Sequence, residues 1–434
     1  MQRIATSFFS RAFVKSVLYT GSGIASAHLI ALLAQPLLTR VYSPEVYGVM
    51  ASYTAIAAIL IPFSTLSYGT AIVIAKDDWE VAALMKLIRL IGLSTSAILL
   101  LVIIIVTFFE FHLVSEDIPT LVLFLIPLAV YFAAHNASLN QFAIRTGNFK
   151  HKAKAHVLKS FSINAAQLLF GVINPVVLSL LIFKALEGLI NNVFLIANKK
   201  FRLIVKTLPA PSKEDLKFVA KSYKDFPLFR APQSLLNAFS IQLPVLALTY
   251  FSDSSTVGQF SLAFLMLGAP LMLLATAFVE VFYGKISAEI NSNSERVASL
   301  ILRAALILLA VGIFIFSPIF IFGEQIFILI FGDSWGEAGN FASAMVFWFV
   351  SSLMSRPAVS AIPSLRLESH LLAYEVIAVT LRGGLLFISF SHNASAVNAI
   401  LYLSCLNALL YVVIFVYVYF QAQIRVNENR LSDS

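Results

Sequence analysis

About a dozen apolar stretches follow one another almost end to end along this chain, and the positive charge between them falls almost wholly on one side of any membrane they would cross. Of the 30 Lys and Arg residues, only four stand apart. Arg40 falls on the side opposite the N-terminus, and Lys184, Arg356 and Arg382 lie inside apolar stretches. Short loops rich in Lys and Arg stay cytoplasmic, so one pattern gives membrane residence, topology and a short set of functional charges. The chain is 59% hydrophobic and 12% charged, against roughly 25% charged in a soluble domain, and no soluble fold hides that much apolar surface. The net charge of +8 is spread over loops between apolar spans, which makes topology its explanation and not nucleic acid.

A helix needs about 20 apolar residues to cross the hydrocarbon core. The pattern predicts spans near 16–38, 47–74, 87–109, 118–144, 157–173, 176–197, 228–251, 259–283, 298–322, 339–364, 371–391 and 395–420. The run from Ser16 to Leu38 is too long for a signal-peptide core and reads as a first span. Asn174-Pro175 must turn the chain between the fifth and sixth spans, because the basic loops 145–159 and 198–227 belong on one side. The opposite loops, near 110–117, 252–258 and 323–338, are acidic and carry neither Lys nor Arg. Both termini are then cytoplasmic. The stretch Ser212–Lys224 can form an amphipathic helix lying on the bilayer, or a solvated linker.

The halves resemble each other. Gln35-Pro36, Tyr42-Ser43, Gly48 and Lys76 recur in order as Gln242-Leu243-Pro244, Phe251-Ser252, Gly258 and Lys285. Six spans per half give both halves the same orientation, a parallel repeat about an axis along the membrane normal. The expected division is an N-terminal bundle over 1–198, a basic cytoplasmic linker over 199–227, a C-terminal bundle over 228–420 and a cytoplasmic tail over 421–434. Substrate sites in such repeats are expected at the interface between halves.

Charges within spans are costly and usually face a cavity or a partner. Lys184 and Glu187, three residues apart on the sixth span, share a helix face and can pair; they form a neutralised structural pair, or a binding lysine with an ion-coupling carboxylate. Arg356 stands beside the helix-bending Pro357 with Ser352 and Ser360 one turn to either side, a polar stripe that suits an anion. Arg382 and Glu375 share a face of the eleventh span. Two guanidiniums in one cavity suit a diphosphate, because the planar fork binds phosphate bidentately; ties between helices are the alternative. Glu375 is the deeper candidate for carrying a proton or cation. Glu280, a turn from the end of the eighth span, reaches the interface or takes part in coupling. Gly21, His28 and Gln35 line the first span at sevenfold spacing, and Arg230, Ser234 and Asn237 open the seventh. Those stripes point to a shared substrate cavity or to interhelical hydrogen bonds.

Other chemistry is absent. The chain has no G-x-x-x-x-G-K-[ST] phosphate loop, no G-x-S-x-G and no metal-ligand spacing. Its single Cys405 excludes a disulfide framework. No catalytic residue, metal or cofactor is expected.

Four stretches carry a resemblance. Leu37-Leu38-Thr39-Arg40-Val41-Tyr42-Ser43-Pro44-Glu45-Val46-Tyr47-Gly48 is similar to the first extracytoplasmic turn of Wzx-type polysaccharide and O-antigen flippases. Ala71-Ile72-Val73-Ile74-Ala75-Lys76-Asp77-Asp78 resembles the same family, as does Asp225-Phe226-Pro227-Leu228-Phe229-Arg230-Ala231-Pro232, with Asn237 and Gln242-Leu243-Pro244 after it. Phe331-Gly332-Asp333-Ser334-Trp335-Gly336-Glu337-Ala338-Gly339 matches the family's FG-x-x-W-x-x-AG stretch. The resemblance implies the multidrug/oligosaccharidyl-lipid/polysaccharide exporter superfamily, an all-α integral membrane fold. It implies twelve transmembrane helices in two six-helix bundles related by pseudo-twofold symmetry. It further implies a bacterial inner-membrane flippase that turns an undecaprenyl-diphosphate-linked oligosaccharide to the outer leaflet by ion-coupled alternating access. Polysaccharide polymerase and chain-length proteins are the partners it would meet. The matches end near residue 340, so the roles of Arg356 and Arg382 rest on their chemistry. The alternatives are a multidrug/cation antiporter of the same superfamily and a membrane polysaccharide polymerase, against which the short outer loops argue.

Overall fold

The computed structural model describes residues 11–109, 120–291, 296–365 and 367–433. Among them the chain is helical throughout. In order, the helices are α1 (Arg11–Leu38), α2 (Pro44–Thr65), α3 (Tyr68–Ile74), α4 (Asp78–Phe108), α5 (Leu125–Arg145), α6 (Phe149–Ile173), α7 (Val177–Ala185) and α8 (Glu187–Ala197). There follow α9 (Lys199–Lys206), α10 (Lys213–Ser222), α11 (Ala231–Phe251), α12 (Ser254–Asn291), α13 (Val297–Phe331), α14 (Gly336–Leu365), α15 (Glu368–Ser391) and α16 (Ala396–Asp433). Among the described residues ten helices are long and apolar enough to cross a membrane, and α7 with α8, bent by 44°, pass the same test together. The described apolar part of α1 is Gly23–Leu38. This is an all-α, multi-pass membrane fold, and its helices follow the twelve expected spans in order. The chain divides into two compact units, Met1–Gln242 and Leu243–Ser434.

Several boundaries differ from expectation. The helix that carries the fifth span starts at Phe149, ahead of the apolar stretch expected near 157, so Lys150, Lys152, Lys154 and Lys159 ride on a helix. Long lysine stems lie along apolar surface while their heads reach water, as suits the exposed Lys150 and Lys154. The acidic stretch 323–338 is helical as far as Phe331, because Gln325–Phe331 is apolar apart from its first residue, and the helix bends at Phe322. The turn at Asn174-Pro175 lies where expected, between Ile173 and Val177. The acidic loop 110–117 lies outside the described residues.

In the N-terminal unit, α1 and α6 approach closely. A Cβ on Gly23 would lie 2.3 Å from the Ala153 Cβ, and Ser160 donates to the Ala27 carbonyl at 2.7 Å. A second contact joins α4 to α5, where Ser96 donates to the Pro127 carbonyl at 2.7 Å. Small residues and hydroxyls hold membrane helices together where lipid removes the hydrophobic drive.

The motif stretches serve this packing. Tyr42 donates to the Gln167 carbonyl at 2.8 Å and lies 2.9 Å from Ser179 Oγ. Tyr47 donates to Gln35 Oε1 at 2.9 Å. Arg145 donates to the carbonyls of Ile72, Ala75 and Lys76, neutralising the orphan acceptors at the end of α3. Ahead of α11, Phe226–Arg230 is wound as a π-turn, and Ala231 N–H reaches the Phe226 carbonyl. Pro232 has no N–H to continue the ordinary ladder, so the register slips by one residue.

The linker packs one face on protein. Its helix α10 starts at Ser212 with a capping box to Asp215 and packs on the end of α4. Val219 is buried, Phe218 meets Trp79 with ring centroids 5.4 Å apart, and Tyr223 donates to Glu80 Oε2 at 3.0 Å. Tyr68 donates to the Ala220 carbonyl at 3.1 Å. An apolar stripe on ten residues fits a protein groove as well as a bilayer, and here the groove supplies hydrogen bonds that lipid lacks.

In the C-terminal unit α14 is the central helix: 67% of its apolar window is buried. Gln259 on α12 clamps its start, donating to the Ser334 carbonyl at 2.7 Å and accepting from Ala338 N–H at 2.9 Å. Trp335 is fully buried, and Gly332 takes φ +106°, a conformation that glycine adopts readily.

Candidate functional site

The register between α14 and α16 is set by one bond, from Trp348 N–H to Ser404 Oγ at 3.0 Å. One turn further along each helix stand Ser352 and Asn407, both buried, so these two share a level. Each meets an arginine. Arg356 Nη2 donates to Ser352 Oγ at 3.3 Å, its side chain leaning back toward the start of α14 as helical side chains do. Arg382 Nε on α15 donates to Asn407 Oδ1 at 2.7 Å. The bonds therefore bring two guanidiniums to one level of this unit. Counted from the turn that joins the two helices, Arg356 is nine residues from the end of α14 and Arg382 fourteen from the start of α15, about 13 Å and 21 Å at 1.5 Å per residue, and the Arg356 side chain, leaning back to Ser352, makes up most of the difference.

Donors are left over at this level. Among the described residues, Arg356 Nε and Asn407 Nδ2 are buried and meet no acceptor. An arginine only donates, so the Asn407 atom facing Arg382 is the oxygen and the remaining one is the amide nitrogen. The Tyr374 hydroxyl on α15 is also buried without a partner. Buried polar groups are nearly always satisfied, and two orphan donors, one of them on the Arg356 guanidinium itself and the other beside Arg382, suit a ligand rich in acceptors and negative charge. Glu375, half-buried on α15, lies in the field of Arg382.

The N-terminal unit holds the other polar centre. Glu187, on the first turn of α8, receives Lys159 Nζ on Oε1 at 2.6 Å and Lys184 Nζ on Oε2 at 2.7 Å. Lys184 ends α7, so the bend at Leu186 separates the paired residues. A polar chain continues from there. His156, three residues before Lys159, lies 3.2 Å from Asn140 Oδ1. Asn140 donates to Asn136 Oδ1 at 2.7 Å, and Asn191 donates to the same oxygen at 2.7 Å.

The remaining candidates are scattered. Gln35 is buried and engaged by Tyr47, and it donates to the Ala31 carbonyl at 3.2 Å. His28 is exposed on α1. Arg230 is exposed, with its guanidinium 5.9 Å from the Phe226 ring centroid, and Asn237 is exposed on α11. The Glu280 side chain and Gly21 lie outside what is described. Sequence reasoning missed Lys159, His156, Asn136, Asn140, Asn191 and Asn407. For the first two a signal existed: Lys152, His156 and Lys159 at i, i+4 and i+7 mark one face of a helix. Among the described residues no group of His, Cys, Asp and Glu could hold a metal ion.

The family described as polysaccharide biosynthesis protein matches residues 13–288. No curated protein matches the chain. Among solved structures, an inward-facing multidrug resistance MATE family transporter of the MOP superfamily is similar over 94% of this chain and 96% of its own, with TM-score 0.70 and 13% identity. The lipid II flippase MurJ in an inward closed conformation covers 94% of this chain and 91% of its own, with TM-score 0.65 and 12% identity. A MOP superfamily transporter from Pyrococcus furiosus, whose binding pocket is described as reversed in polarity, covers 95% and 96%, with TM-score 0.57 and 13% identity. At these identities the likeness is one of fold, and the fold is that of transporters and flippases. The match covers more than half of the chain and agrees with the Wzx-type resemblance: the chain belongs to the polysaccharide biosynthesis protein family.

Proposed function

We propose that this transporter flips an undecaprenyl-diphosphate-linked oligosaccharide, an O-antigen or capsule repeat unit, across a bacterial cytoplasmic (inner) membrane. Transport runs by ion-coupled alternating access, with both termini cytoplasmic and with polymerase and chain-length proteins receiving the product. The observation that carries this reading is the pair Arg356 and Arg382 at one level, with the unpartnered donors Arg356 Nε and Asn407 Nδ2 beside them. A diphosphate supplies the acceptors they lack, and two planar forks hold it more firmly than point charges would. A sugar chain and diphosphate cannot cross the apolar slab unaided, since unpaired polar groups cost several kcal/mol each. The intramembrane charges lean toward an anionic cargo over a drug cation: Lys159, Lys184, Arg356 and Arg382 stand against Glu187, Glu280 and Glu375. Lys184 and Glu187 extend the binding and coupling set, Gln35 braces α2, and Arg230, Asn237 and His28 are left to meet the glycan.

The test is export of surface glycan at matched membrane abundance. Arg356→Ala and Arg382→Ala are expected to lower it at least tenfold, and the Lys replacements by less, because they keep charge and lose the fork. Wild-type export by both alanine variants would make these arginines structural and defeat the reading. Glu375 is the proposed ion carrier, so Glu375→Gln in proteoliposomes is expected to abolish dependence of flipping on a pH or Na⁺ gradient; an unchanged dependence removes it from coupling.

A further inference from the structure

The polar centre of the N-terminal unit holds more positive charge than it neutralises. Lys159 and Lys184 share the single carboxylate of Glu187, one on each oxygen. Lys152 and His156 stand on the same face of α6 as Lys159 and add further positive or polar character. Among the described residues, no second carboxylate pairs with these lysines. Glu187 lies ten residues inside the end of α8 at Ala197, about 15 Å at 1.5 Å per residue, and Lys159 reaches it from the apolar part of α6. A net charge at that depth is expensive, and any anion that reaches it is held.

The side chains of Lys159, Glu187 and Lys184 are 18%, 32% and 35% exposed, so the packed helices do not enclose the group completely. Each ammonium has three donors and no acceptor. Each gives one donor to Glu187, so both retain capacity for further oxygens. The two lysines come from different helices, α6 and α7, and converge on an oxygen pair.

We propose that Lys159 and Lys184 form a phosphate-type anion site that Glu187 fills in the unloaded protein. The carboxylate oxygens stand where two phosphate oxygens bind, and the incoming group displaces them. A phosphate or diphosphate presents a like pair of oxygens with more charge than a carboxylate. Because Glu187 is tethered beside the lysines, its effective concentration is high. Chloride and simple carboxylates therefore lose the competition, and a multivalent phosphate wins it. Glu187 thus acts as a selectivity guard. Resting on the function proposed above, the ligand is the diphosphate of the lipid carrier, met here at a step distinct from its contact with Arg356 and Arg382.

The experiment uses the full chain in phosphatidylcholine nanodiscs carrying Arg356→Ala and Arg382→Ala, so that binding reports the lysine site alone. Inorganic diphosphate is titrated by calorimetry, with thermal stability recorded for each variant. Lys159→Gln and Lys184→Gln each leave a neutral Lys–Glu pair, and each is expected to weaken binding at least tenfold. Glu187→Gln removes the competitor and is expected to tighten binding at least tenfold. Should Glu187→Gln fail to fold, Glu187→Asp, too short to span both lysines, is expected to tighten it by a smaller factor. Binding lost with the arginines, or indifferent to both lysines, overturns the site while leaving the proposed function standing. Weakened or unchanged binding in a stable Glu187→Gln or Glu187→Asp protein overturns the guard. Farnesyl diphosphate is expected to compete with inorganic diphosphate. Competition by phosphatidylglycerol but not by farnesyl diphosphate would overturn the lipid-carrier assignment in favour of a bilayer headgroup.

Discussion

At the scale of single residues, the family stretches act mainly through packing. Gly339, the last residue of the FG-x-x-W-x-x-AG stretch, lies against Gly323 on α13: a Cβ at Gly339 would sit 2.3 Å from the Gly323 carbonyl oxygen and 2.5 Å from Glu324 Cα. Both obstacles are backbone, so neither can rotate away. Overpacking costs about 1–3 kcal/mol even where side chains can yield. Gly339→Ala is therefore expected to lower the thermal unfolding midpoint and membrane abundance by clearly more than an alanine at Gly284, whose added Cβ meets nothing within 4 Å. Equal midpoints for the two variants would show that the helices separate without cost. The motif was legible in the sequence, and its role was not, because a glycine demanded by a neighbouring backbone looks the same in a string as one demanded by a ligand. Arg356 and Arg382 were legible because a charge inside an apolar run has few explanations. Asn407 was not: one amide in a long apolar helix carries no sign of which arginine it will meet.

At the scale of elements, the same gap separates pattern from partner. The amphipathic stripe of α10 was visible, but a stripe does not say whether lipid or protein covers it. Here Glu80 answers, since its Oε2 accepts both Lys76 N–H at 2.8 Å and the Tyr223 hydroxyl at 3.0 Å. Tyr223→Phe removes the second of these, a bond to a charged group worth about 1.5–3 kcal/mol at most. Trypsin cleavage within the stretch from Lys206 to Lys221 is expected to quicken severalfold in that variant, and an unchanged rate would mean that Val219 and Phe218 hold α10 unaided. Burial, and next the bond to Glu80, push the Tyr223 phenol up to about 12. A raised pKa means that the docking contribution is whole below the ordinary phenol value near 10. It fades only as pH climbs from there toward 12, so wild-type cleavage, taken relative to cleavage of an unstructured peptide by the same trypsin at each pH, is expected to be flat between pH 6 and pH 9. The extended start of α6 is the second such case. Lys159 was placed in a basic loop because lysines mark loops on average, yet the stripe it shares with Lys152 and His156 is a helix face, and that face holds the charge centre of the N-terminal unit.

At the scale of the whole molecule, hydropathy and charge determine most of what the fold needs. Crossing a bilayer leaves the backbone little choice but helix, and each apolar run of sufficient length becomes one, including the pair α7 and α8 that bends by 44° at Leu186. Orientation follows from a different quantity, the side on which Lys and Arg collect. The linker carries eight of them between Lys199 and Lys224, whereas the turn between α15 and α16, Ser391 to Ser395, carries none. Those two segments should thus lie on opposite faces, the linker inside. Cys405 is the one native thiol, so Cys405→Ser supplies the background. Ala210→Cys, exposed in the linker, and His392→Cys, exposed in the α15–α16 turn, then report one face each. In intact cells an impermeant maleimide is expected to label the protein with His392→Cys and to leave that with Ala210→Cys unlabelled, with both labelled after the membrane is broken. Labelling of Ala210→Cys from outside would place the linker, both termini and the basic ends of the helices on the outer face, and the leaflet in which the lipid-linked glycan is first bound would have to be reversed with them.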